Sequence, residues 1–313
     1  MKILLTGGAG FIASHVADAY LEAGHDVVII DNLSSGQLRN LNPKATFYQM
    51  DICDPAIGQV FETEQPDIVN HHAAQVSVPL SITNPIYDAE VNVKGVINIL
   101  ENCVKYSVKK LIYISSGGAM YGEAEQTPTT ETYPPKPLSV YAIHKLMGER
   151  YLEFYHHQYD LDFTVLRYAN VYGPRQVSHG EAGVVSLFVE LLLAGKTPSI
   201  CRYPDQPRGM IRDYVYVGDV VKANLAALDK GTNQAFNIGT CVTTTTVDLY
   251  NEIDSQLQTH IAPLFSDARK GDLRVSLLDI SKAKAILNWK PNTNLKDGLE
   301  KVIAYFKQIS NNG

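Results

Sequence analysis

The stretch TGGAGFIA at residues 6–13 constrains the fold more than any other part of the chain. It follows a short apolar run, KILLT at 2–6, and leads into an amphipathic segment. Gly8, Gly10 and Ala13 meet the spacing G-x-G-x-x-G/A in the strand–turn–helix context that this motif requires. Small residues allow the tight turn, and they let backbone N–H groups and the positive helix N-terminus approach a pyrophosphate. The segment therefore predicts a dinucleotide-binding unit.

An acidic residue ends the next apolar run, DVVIIDN, about 20 residues after Gly10. The carboxylate of Asp31 can accept both hydroxyls of an adenosine ribose, and it would repel a 2′-phosphate. The sequence therefore favours NAD over NADP. The dinucleotide contacts predicted from these two runs are Gly7, Gly8, Gly10, Phe11, Ile12, Asp31 and Asn32.

Short apolar runs alternate with longer amphipathic segments through the first half of the chain. Their β-branched and aromatic content is typical of strands buried on both faces of a parallel sheet. We predict strands at 2–6, 26–30, 46–50, 67–71, 110–115 and 162–168, and helices at about 11–23, 54–63, 85–106 and 138–158. This alternation predicts the α/β class, with a doubly wound parallel (Rossmann) sheet.

The amino-acid composition changes after Tyr168, where stretches rich in Gly, Pro and charged residues appear. We predict a dinucleotide-binding domain at 1–170 and a smaller, mainly substrate-binding domain at 171–313. Two later segments, DYVYV at 213–217 and AFNIG at 235–239, are candidates to return to the first sheet. Helices are predicted near 183–195, 218–229, 245–257, 280–287 and 295–309.

Composition narrows the class of partner. The chain has 313 residues and a net charge of −6, with no block of like charge, which argues against nucleic acid or an anionic membrane as partner. The four cysteines form no CxxC, as expected of reduced thiols in the cytoplasm, and we predict no metal site. The start MKILLTGGAGFI lacks the features of a signal peptide, and no run is long enough to span a membrane.

Two further strand ends carry candidate cofactor contacts. Asp51 and Ile52 follow the third strand, where an adenine could rest, although Asp51 could instead cap the following helix. The run HHAAQ at 71–75 follows the fourth strand, and its alanines, Ala73 first, suit a close approach of backbone to ligand. Its two histidines are given no catalytic role.

The chain contains two YxxxK pairs, Tyr141 with Lys145 in SVYAIHK and Tyr106 with Lys110 in YSVKK. On a helix this spacing places the phenol and the ammonium on one face. With 18 tyrosines in the chain, roughly one such pair is expected by chance. Spacing alone does not decide which pair is functional.

A series of motifs resembles the extended short-chain dehydrogenases/reductases in its order, and it looks most like the UDP-glucose 4-epimerases. The resemblance covers essentially the whole chain. It implies an NAD-dependent homodimer that inverts C4 of a UDP-hexose through a transient 4-keto sugar. The motifs are TGGAGFIA, DNLSSG (31–36), HHAAQ, ISSGGAMYGE (114–123), YAIHK, LRYANVYGPRQ (166–176), GEAGVV (180–185), RDYVYVGDV (212–220) and KGDLRVSLLDISKA (270–283).

The resemblance also implies that Tyr141 is the catalytic base and that the Tyr106 pair is accidental. A free phenol is mostly protonated at neutral pH, so we expect the ammonium of Lys145 and the positive nicotinamide together to lower the pKa of Tyr141. Lys145 is also expected to bind the nicotinamide ribose. The family's third catalytic residue, a Ser or Thr, falls on Gly117 here. Either Ser116 reaches in through a shifted backbone, or water or the substrate substitutes.

Further roles follow by position from the same resemblance. Asn92 is expected to hold the backbone near the cofactor, and Tyr168 is expected to lie against the nicotinamide end. Asn170 and Arg269 are expected to contact the diphosphate of the nucleotide sugar, since a guanidinium suits its oxygens. Asp272 is expected to bind a ribose hydroxyl of the nucleotide.

Two positions bear on substrate choice. Arg212 is expected as a second anion contact, but the stretch 202–211 is longer than usual in the family, so Arg208 competes for this role. The family residue beside C2 of the hexose falls on Ser276. Because this residue is small, we expect the enzyme to accept UDP-glucose, UDP-galactose and also UDP-GlcNAc and UDP-GalNAc.

Rival functions remain on the same scaffold. A nucleotide-sugar dehydratase or decarboxylase is one, but the acid and base that the dehydratases carry fall on Gly118 and Ala119 here. A non-catalytic NAD-sensing protein is another, although such relatives typically lack the tyrosine or the lysine. The resemblance further implies that helices 85–106 and 138–158 pair across a two-fold axis in a dimer.

Overall fold

The computed structural model describes residues 1–177, 183–269 and 271–311. The strands are β1 (Lys2–Thr6), β2 (Asp26–Asp31), β3 (Thr46–Gln49), β4 (Ile68–His71), β5 (Lys110–Ser116), β6 (Asp162–Tyr168), β7 (Asn170–Tyr172), β8 (Ser199–Arg202), β9 (Ile211–Arg212), β10 (Tyr214–Tyr216), β11 (Gln234–Ile238), β12 (Thr244–Thr245), β13 (Leu264–Asp267) and β14 (Val275–Ser276).

The α-helices are α1 (Phe11–Glu22), α2 (Ile57–Glu64), α3 (Val78–Thr83), α4 (Pro85–Ala89), α5 (Gly95–Lys105), α6 (Gly117–Met120), α7 (Val140–Tyr159), α8 (Val184–Leu193), α9 (Val217–Asp229), α10 (Thr246–Leu257) and α11 (Leu295–Asn311). Short π-helical turns lie at Glu90–Lys94 and Ala283–Leu287, and a 3₁₀ turn lies at Leu38–Asn40.

Seven strands form one parallel sheet in the order β11-β6-β5-β4-β1-β2-β3. The six strands predicted from the apolar runs all lie in it, which confirms the doubly wound fold. The chain leaves β3 at one edge and returns as β4 on the other side of β1, so the order reverses between β1 and β4. In sheets of this kind ligands bind outside the carboxyl ends of the strands at such a switch point.

Both faces of the sheet are covered because side chains alternate along each strand. Ile3 and Leu5 of β1 pack on one side in a buried cluster that includes Tyr20 of α1. Leu4 points to the other side, in a cluster that includes Phe61 of α2. A third cluster, built from α8, α10 and α11, forms the core of the C-terminal part.

One of the two segments expected to return to the sheet does not do so. β11 pairs with β6, but β10 pairs with β7 in a separate two-stranded sheet. The chain changes partners directly after β6. The N–H of Ala169 donates to the carbonyl of Ile238 (2.9 Å), whereas that of Asn170 donates to the carbonyl of Asp213 (2.9 Å). This switch moves the following residues off the sheet edge.

The predicted helix at 85–106 is interrupted rather than continuous. It comprises α4, the π-helical turn Glu90–Lys94 and α5. A π-helical turn inserts an extra residue into the helix, and such turns are frequent at functional sites. No helix in the described part of the chain is long and apolar enough to cross a membrane.

Candidate active site

The glycine loop after β1 leaves no room for side chains. Gly7 has φ of +72°, and a Cβ there would lie 2.8 Å from the backbone nitrogen of Ala73. A Cβ at Gly8 would lie 2.5 Å from the side chain of Ile29. The loop therefore lies directly against the ends of β2 and β4, where the sheet order reverses.

The first turn of α1 has N–H groups that no capping side chain uses. Gly10 is the N-cap residue, with extended backbone and no side-chain hydrogen bond to the helix. Phe11 and Ile12 open the helix behind it. Backbone donors and the helix dipole thus face outward, an arrangement that fits the pyrophosphate of a dinucleotide.

Asp31 ends β2 beside this loop. Its carboxylate accepts the N–H of Ala9 (2.9 Å) and the N–H of Leu33 (2.7 Å). Burial raises the pKa of Asp31, while these two hydrogen bonds lower it. A Cβ at Gly36 would lie 2.8 Å from the carboxylate, so the glycine gives it room. The fixed carboxylate is a suitable acceptor for two ribose hydroxyls.

The residues after β3 form a second wall near Asp31. Asn32 donates from Nδ2 to the carboxylate of Asp51 (2.7 Å). Asp51 does not cap α2, which has no side-chain cap; its carboxylate accepts the N–H of Cys53 instead (2.8 Å). Ile52 is buried.

Asn92 lies in the π-helical turn and fixes the loop after β4. It accepts the N–H of Gln75 (3.0 Å) and donates to the carbonyl of the same residue (2.9 Å) and to the carboxylate of Asp88 (2.9 Å). The other carboxylate oxygen of Asp88 lies 2.6 Å from Nδ1 of His144 in α7. Sequence reasoning missed Asp88, which no motif contains, although His144 stood inside YAIHK.

Tyr141 lies in the first turn of α7, which Ser139 caps by accepting the N–H of Ala142 (3.2 Å). The phenol is hydrogen-bonded to the hydroxyl of Ser116 at the end of β5. Burial raises the pKa of Tyr141 to about 12; the hydrogen bond to Ser116 lowers it and the charge of Asp88 raises it. The structure therefore brings Tyr141 and Ser116 together, which is the first of the two alternatives drawn from the sequence.

The protein's own groups raise the pKa of Tyr141, and Lys145 is not among the groups that act on it. Lys145 donates from Nζ to the carbonyl of Ile114 (2.9 Å). Burial lowers its pKa to about 8, and the carboxylate of Asp88 acts against that change. Desolvation of the phenolate is the largest cause of the raised pKa of Tyr141, because the phenol is buried.

Gly117 lacks a side chain because its surroundings leave no space for one. A Cβ there would lie 2.6 Å from Leu278 and 3.1 Å from the carbonyl oxygen of Arg167. Tyr168 pairs in register with Ser116, and its hydroxyl accepts a hydrogen bond from Asn224 (2.7 Å). Ser116 thus takes the place beside Tyr141 that the family resemblance assigned to the next residue.

The second YxxxK pair has a different environment. Lys110 donates from Nζ to the carbonyls of Ala227 (2.6 Å) and Lys230 (3.0 Å) at the end of α9. Tyr106 ends α5 and stacks on Phe61, with ring centroids 6.2 Å apart. Both side chains therefore have structural partners at the amino ends of the strands.

A cavity of about 330 Å³ lies between the start of α7 and the C-terminal part. Four of the five predicted substrate residues line it. These are Asn170, Arg212, Arg269 and Asp272. On the side of the tyrosine it is lined by Ser77, Gly118, Ala119 and Ser139, and its apolar wall includes Val184, Leu187, Phe188 and Met210.

Two polar groups in the cavity wall lack the partners that buried groups normally have. Arg212 is partly buried and donates to the carbonyl of Ile211 (2.9 Å), but no carboxylate in the described part of the chain pairs with it. Burial lowers its pKa. Oδ1 of Asn170 is buried without a hydrogen bond. By contrast, Arg208 pairs with Asp248 at the surface. Arg212 is therefore the better anion contact.

Arg269 and Asp272 form a compact turn beside Arg212. The carboxylate of Asp272 accepts the N–H of Arg269 (3.0 Å), whose carbonyl accepts the N–H of Asp272 (3.2 Å). Ser276 is buried behind the wall, with its hydroxyl 3.4 Å from the carbonyl of Gly118. Lys270 and the part of the GEAGVV motif at 180–182 lie outside the described residues.

The arrangement is that of a dinucleotide-dependent enzyme with an anion-binding cavity beside a tyrosine–serine pair. The model of the NAD dependent epimerase/dehydratase family matches residues 3–239. The chain belongs to this family, whose cofactor is NAD.

Individual proteins of the family are similar over their whole length. The UDP-glucose 4-epimerase of Mycolicibacterium smegmatis is 42% identical over 99% of this chain and 100% of its own. The structure of a Thermotoga maritima UDP-glucose 4-epimerase with UDP-glucose is 47% identical, with a TM-score of 0.96 over 99% of this chain and 100% of that one. A UDP-N-acetylglucosamine 4-epimerase from Methanobrevibacter ruminantium, in complex with UDP-N-acetylmuramic acid, is 33% identical, with a TM-score of 0.92 over 98% of each chain.

Proposed function

We propose that the chain is a UDP-sugar 4-epimerase that interconverts UDP-glucose and UDP-galactose. The observation that carries the proposal is the guanidinium of Arg212, which has no carboxylate partner among the described residues and lines the same cavity as Gly118 and Ser139. Gly118 follows Ser116 by two residues, and Ser139 precedes Tyr141 by two. An anion held by Arg212 would place its attached sugar beside the tyrosine, and a sugar nucleotide diphosphate has that combination of groups.

The residues predicted from the sequence have the following proposed roles. The glycine loop, Asp31 and the residues after β3 bind the dinucleotide, and residues 171–313 mainly bind the nucleotide sugar. NAD, when bound, would supply a hydride acceptor and donor for C4 and a positive ring that favours a neighbouring phenolate. Tyr141 removes the O4 proton and later returns it, while the Ser116 hydroxyl is hydrogen-bonded at the same place. Lys145 binds the nicotinamide ribose.

The inversion at C4 requires the sugar to turn while its nucleotide stays bound. Loss of hydride from C4 and of the O4 proton to Tyr141 gives a 4-keto sugar, and their return to the opposite face gives the epimer. Arg212 and Arg269 hold the diphosphate during this turn. The amide oxygen of Asn170, which is buried without a hydrogen bond, accepts one from a donor group of the substrate. The cavity of about 330 Å³ gives the hexose space to turn.

The composition of the wall favours epimerisation over elimination. A 4,6-dehydratase needs an acid and a base beside C5 and C6, and the corresponding positions here are Gly118 and Ala119, which both line the cavity. Among the described lining residues, Asp272 has the single carboxylate, and it is engaged with the N–H of Arg269. The dehydratase alternative thus lacks its catalytic groups at these positions.

The N-acetylhexosamine forms are proposed as further substrates. Ser276 lies behind Gly118, so a small side chain there leaves the adjoining wall open. One similar protein acts on UDP-N-acetylglucosamine, which supports this extension. Ser276→Tyr should block epimerisation of UDP-GlcNAc, because the tyrosine would clash with the N-acetyl group, and a clash can exclude a substrate almost wholly. Epimerisation of UDP-glucose, which lacks that group, should be largely spared. Product analysis by NMR measures both; a wild-type protein inert on UDP-GlcNAc would contradict the extension.

We also propose a homodimer, formed through the face of α3, α4 and α7. Ile86 is 74% exposed and Phe154 51% exposed, although both are large and apolar. Neighbouring exposed apolar side chains on these helices are Leu80, Ile82, Tyr87, Ile143 and Met147. A contiguous apolar face of this kind is typical of an interface between copies. Light scattering on the purified protein measures the mass directly.

Tyr141→Phe tests the proposed chemistry. The substitution removes the phenol oxygen and keeps the ring, so the fold should persist and NAD should still co-purify. We expect turnover of UDP-glucose to fall by two or more orders of magnitude, as for a lost general base. The matched control is Tyr106→Phe, in the other YxxxK pair, which should epimerise at the wild-type rate. Near wild-type turnover in the Tyr141→Phe variant would show that Tyr141 is not the base.

A further inference from the structure

The loop after β8 lies on the segment that contains Asp272. We refer to residues 203–206 as the strap. The hydroxyl of Tyr203 donates to the carbonyl of Asp272 (2.7 Å), and Nε2 of Gln206 donates to the carbonyl of Arg274 (3.3 Å). The strap is therefore hydrogen-bonded to the backbone at both ends of the tripeptide 272–274.

Arg274 joins the strap to that segment through its side chain. Its guanidinium lies 3.9 Å from the centroid of the Tyr203 ring and donates to both carboxylate oxygens of Asp205 (2.9 and 3.0 Å). The backbone N–H of Arg274 donates to the carboxylate of Glu123 (2.7 Å). Arg274 does not line the cavity itself, so these contacts act on the position of its neighbours.

The described residues of the segment are exposed or partly buried, and its other backbone contacts include the turn between Arg269 and Asp272 and the carbonyl of Arg274, which accepts the N–H of Ile211 (3.0 Å). Gly271 is exposed, and a Cβ there would meet no atom within 4 Å. Arg269 is exposed, and β13 just before it is exposed at all four residues. Backbone with few buried contacts opens readily, so a few side-chain contacts can decide where it lies. The same segment nevertheless contributes Arg269, Gly271, Asp272 and Leu273 to the cavity wall.

We propose that Tyr203, Asp205 and Arg274 are positioning residues that set the affinity for the nucleotide diphosphate. They hold Arg269 and Asp272 in the wall of the cavity without touching the substrate. The inference rests on the proposed function, in which this cavity takes a UDP-sugar. It adds that the strap acts on binding and leaves the proton transfer at Tyr141 unchanged.

The test compares UDP binding and turnover in Tyr203→Ala and Arg274→Ala. Tyr203→Ala removes the hydrogen bond to Asp272, and Arg274→Ala removes the cation stacked on Tyr203. Each variant should therefore bind UDP about three- to tenfold more weakly, as measured by calorimetry. The KM for UDP-glucose should rise by a similar factor, with kcat within about twofold of wild type. Arg274→Lys should recover only part of the affinity, since an ammonium can pair with Asp205 but cannot replace the planar guanidinium stacked on Tyr203.

The control is Arg208→Ala in the same loop. Its partner, Asp248, belongs to α10 and not to the segment at 269–274, so UDP affinity should remain at the wild-type value. Adding Asp205→Ala to Arg274→Ala should cause little further loss, because the two residues form one pair.

Two results would overturn the inference. One is wild-type UDP affinity in both Tyr203→Ala and Arg274→Ala; the other is a fall in kcat with KM unchanged. A failure of the proposed function looks different, since wild-type protein would then neither bind UDP nor epimerise a UDP-sugar. Thermal unfolding of each variant separates a lost contact from a lost fold.

Discussion

The glycine loop after β1 and the cavity beside Arg212 are built from different kinds of atoms. In the loop, backbone fills the space so closely that Gly7 and Gly8 have no room for a Cβ. In the cavity, side chains form the wall; Arg212 has no carboxylate partner among the described residues, and Oδ1 of Asn170 is buried without a hydrogen bond. Substitutions in the first region should act through shape, and those in the second through charge.

Gly7→Ala should have the largest effect on binding. The left-handed backbone strains an alanine, and its Cβ would clash with backbone at Ala73, so the loop must move. We expect NAD to bind about 100-fold more weakly, the scale of a displacement of about 1 Å in a positioned site. Fluorescence titration of NAD into protein stripped of its cofactor measures this affinity.

Gly24→Ala is the matched control for Gly7→Ala. Gly24 also has a positive φ, of +81°, but a Cβ there meets nothing within 4 Å. It should therefore cost stability through backbone strain while NAD affinity stays unchanged. Equal NAD affinity in both variants would mean that the close fit of the loop is not what binds the cofactor.

Arg212→Met tests the second region and should have an intermediate effect. It removes the charge and keeps most of the apolar stem, so UDP should bind about 10- to 100-fold more weakly, as for a lost charged hydrogen bond. The midpoint of thermal unfolding should not fall, because a partly buried cation without a carboxylate partner is itself unfavourable. Arg208→Met is the control at the surface. A large loss of stability without a loss of affinity would make Arg212 a structural residue.

The smallest effect is expected in the choice between NAD and NADP. Asp31 lies at the end of β2 with its carboxylate fixed by two N–H groups, so a 2′-phosphate would meet a negative charge. NAD should restore activity to stripped protein at least about tenfold better than NADP. Asp31→Asn keeps the size and removes the charge, so it should narrow this ratio. Equal restoration by both dinucleotides in the wild type would refute the role of Asp31.

Local sequence patterns predicted the strands and the turn of the dinucleotide-binding side well, because these elements are formed by short continuous runs of residues. Runs such as KILLT and DVVII became β1 and β2, and the glycine spacing marked the turn between strand and helix. The adjacency of Ser116 and Tyr141 was one of two alternatives, and the crowding at Gly117 by Leu278 explains it. That crowding comes from a residue far along the chain, so no local pattern contains it.

The parts that sequence could not predict depend on tertiary contacts. The change of strand partner at Ala169 depends on where Asp213 and Ile238 lie. The π-helical turn around Asn92 goes with its bonds to Gln75 and Asp88. The pKa of Tyr141 follows from burial, which the spacing of tyrosine and lysine does not report. Each of these features joins segments that are far apart in the chain or depends on how deeply a group is enclosed.

Under the proposed function, the guanidinium of Arg212, which has no carboxylate partner among the described residues, couples the thermal stability of the protein to nucleotide binding. A ligand that brings a diphosphate supplies the missing counterion in the folded state alone, so mass action adds about 2.7 kcal/mol of stability at a concentration about 100 times its Kd. For a chain of this size such a gain raises the melting temperature by several degrees. The melting curve is then a direct readout of which sugar nucleotide the cavity prefers, before any turnover is measured. It also implies that the enzyme is best protected from heat when its substrate is abundant.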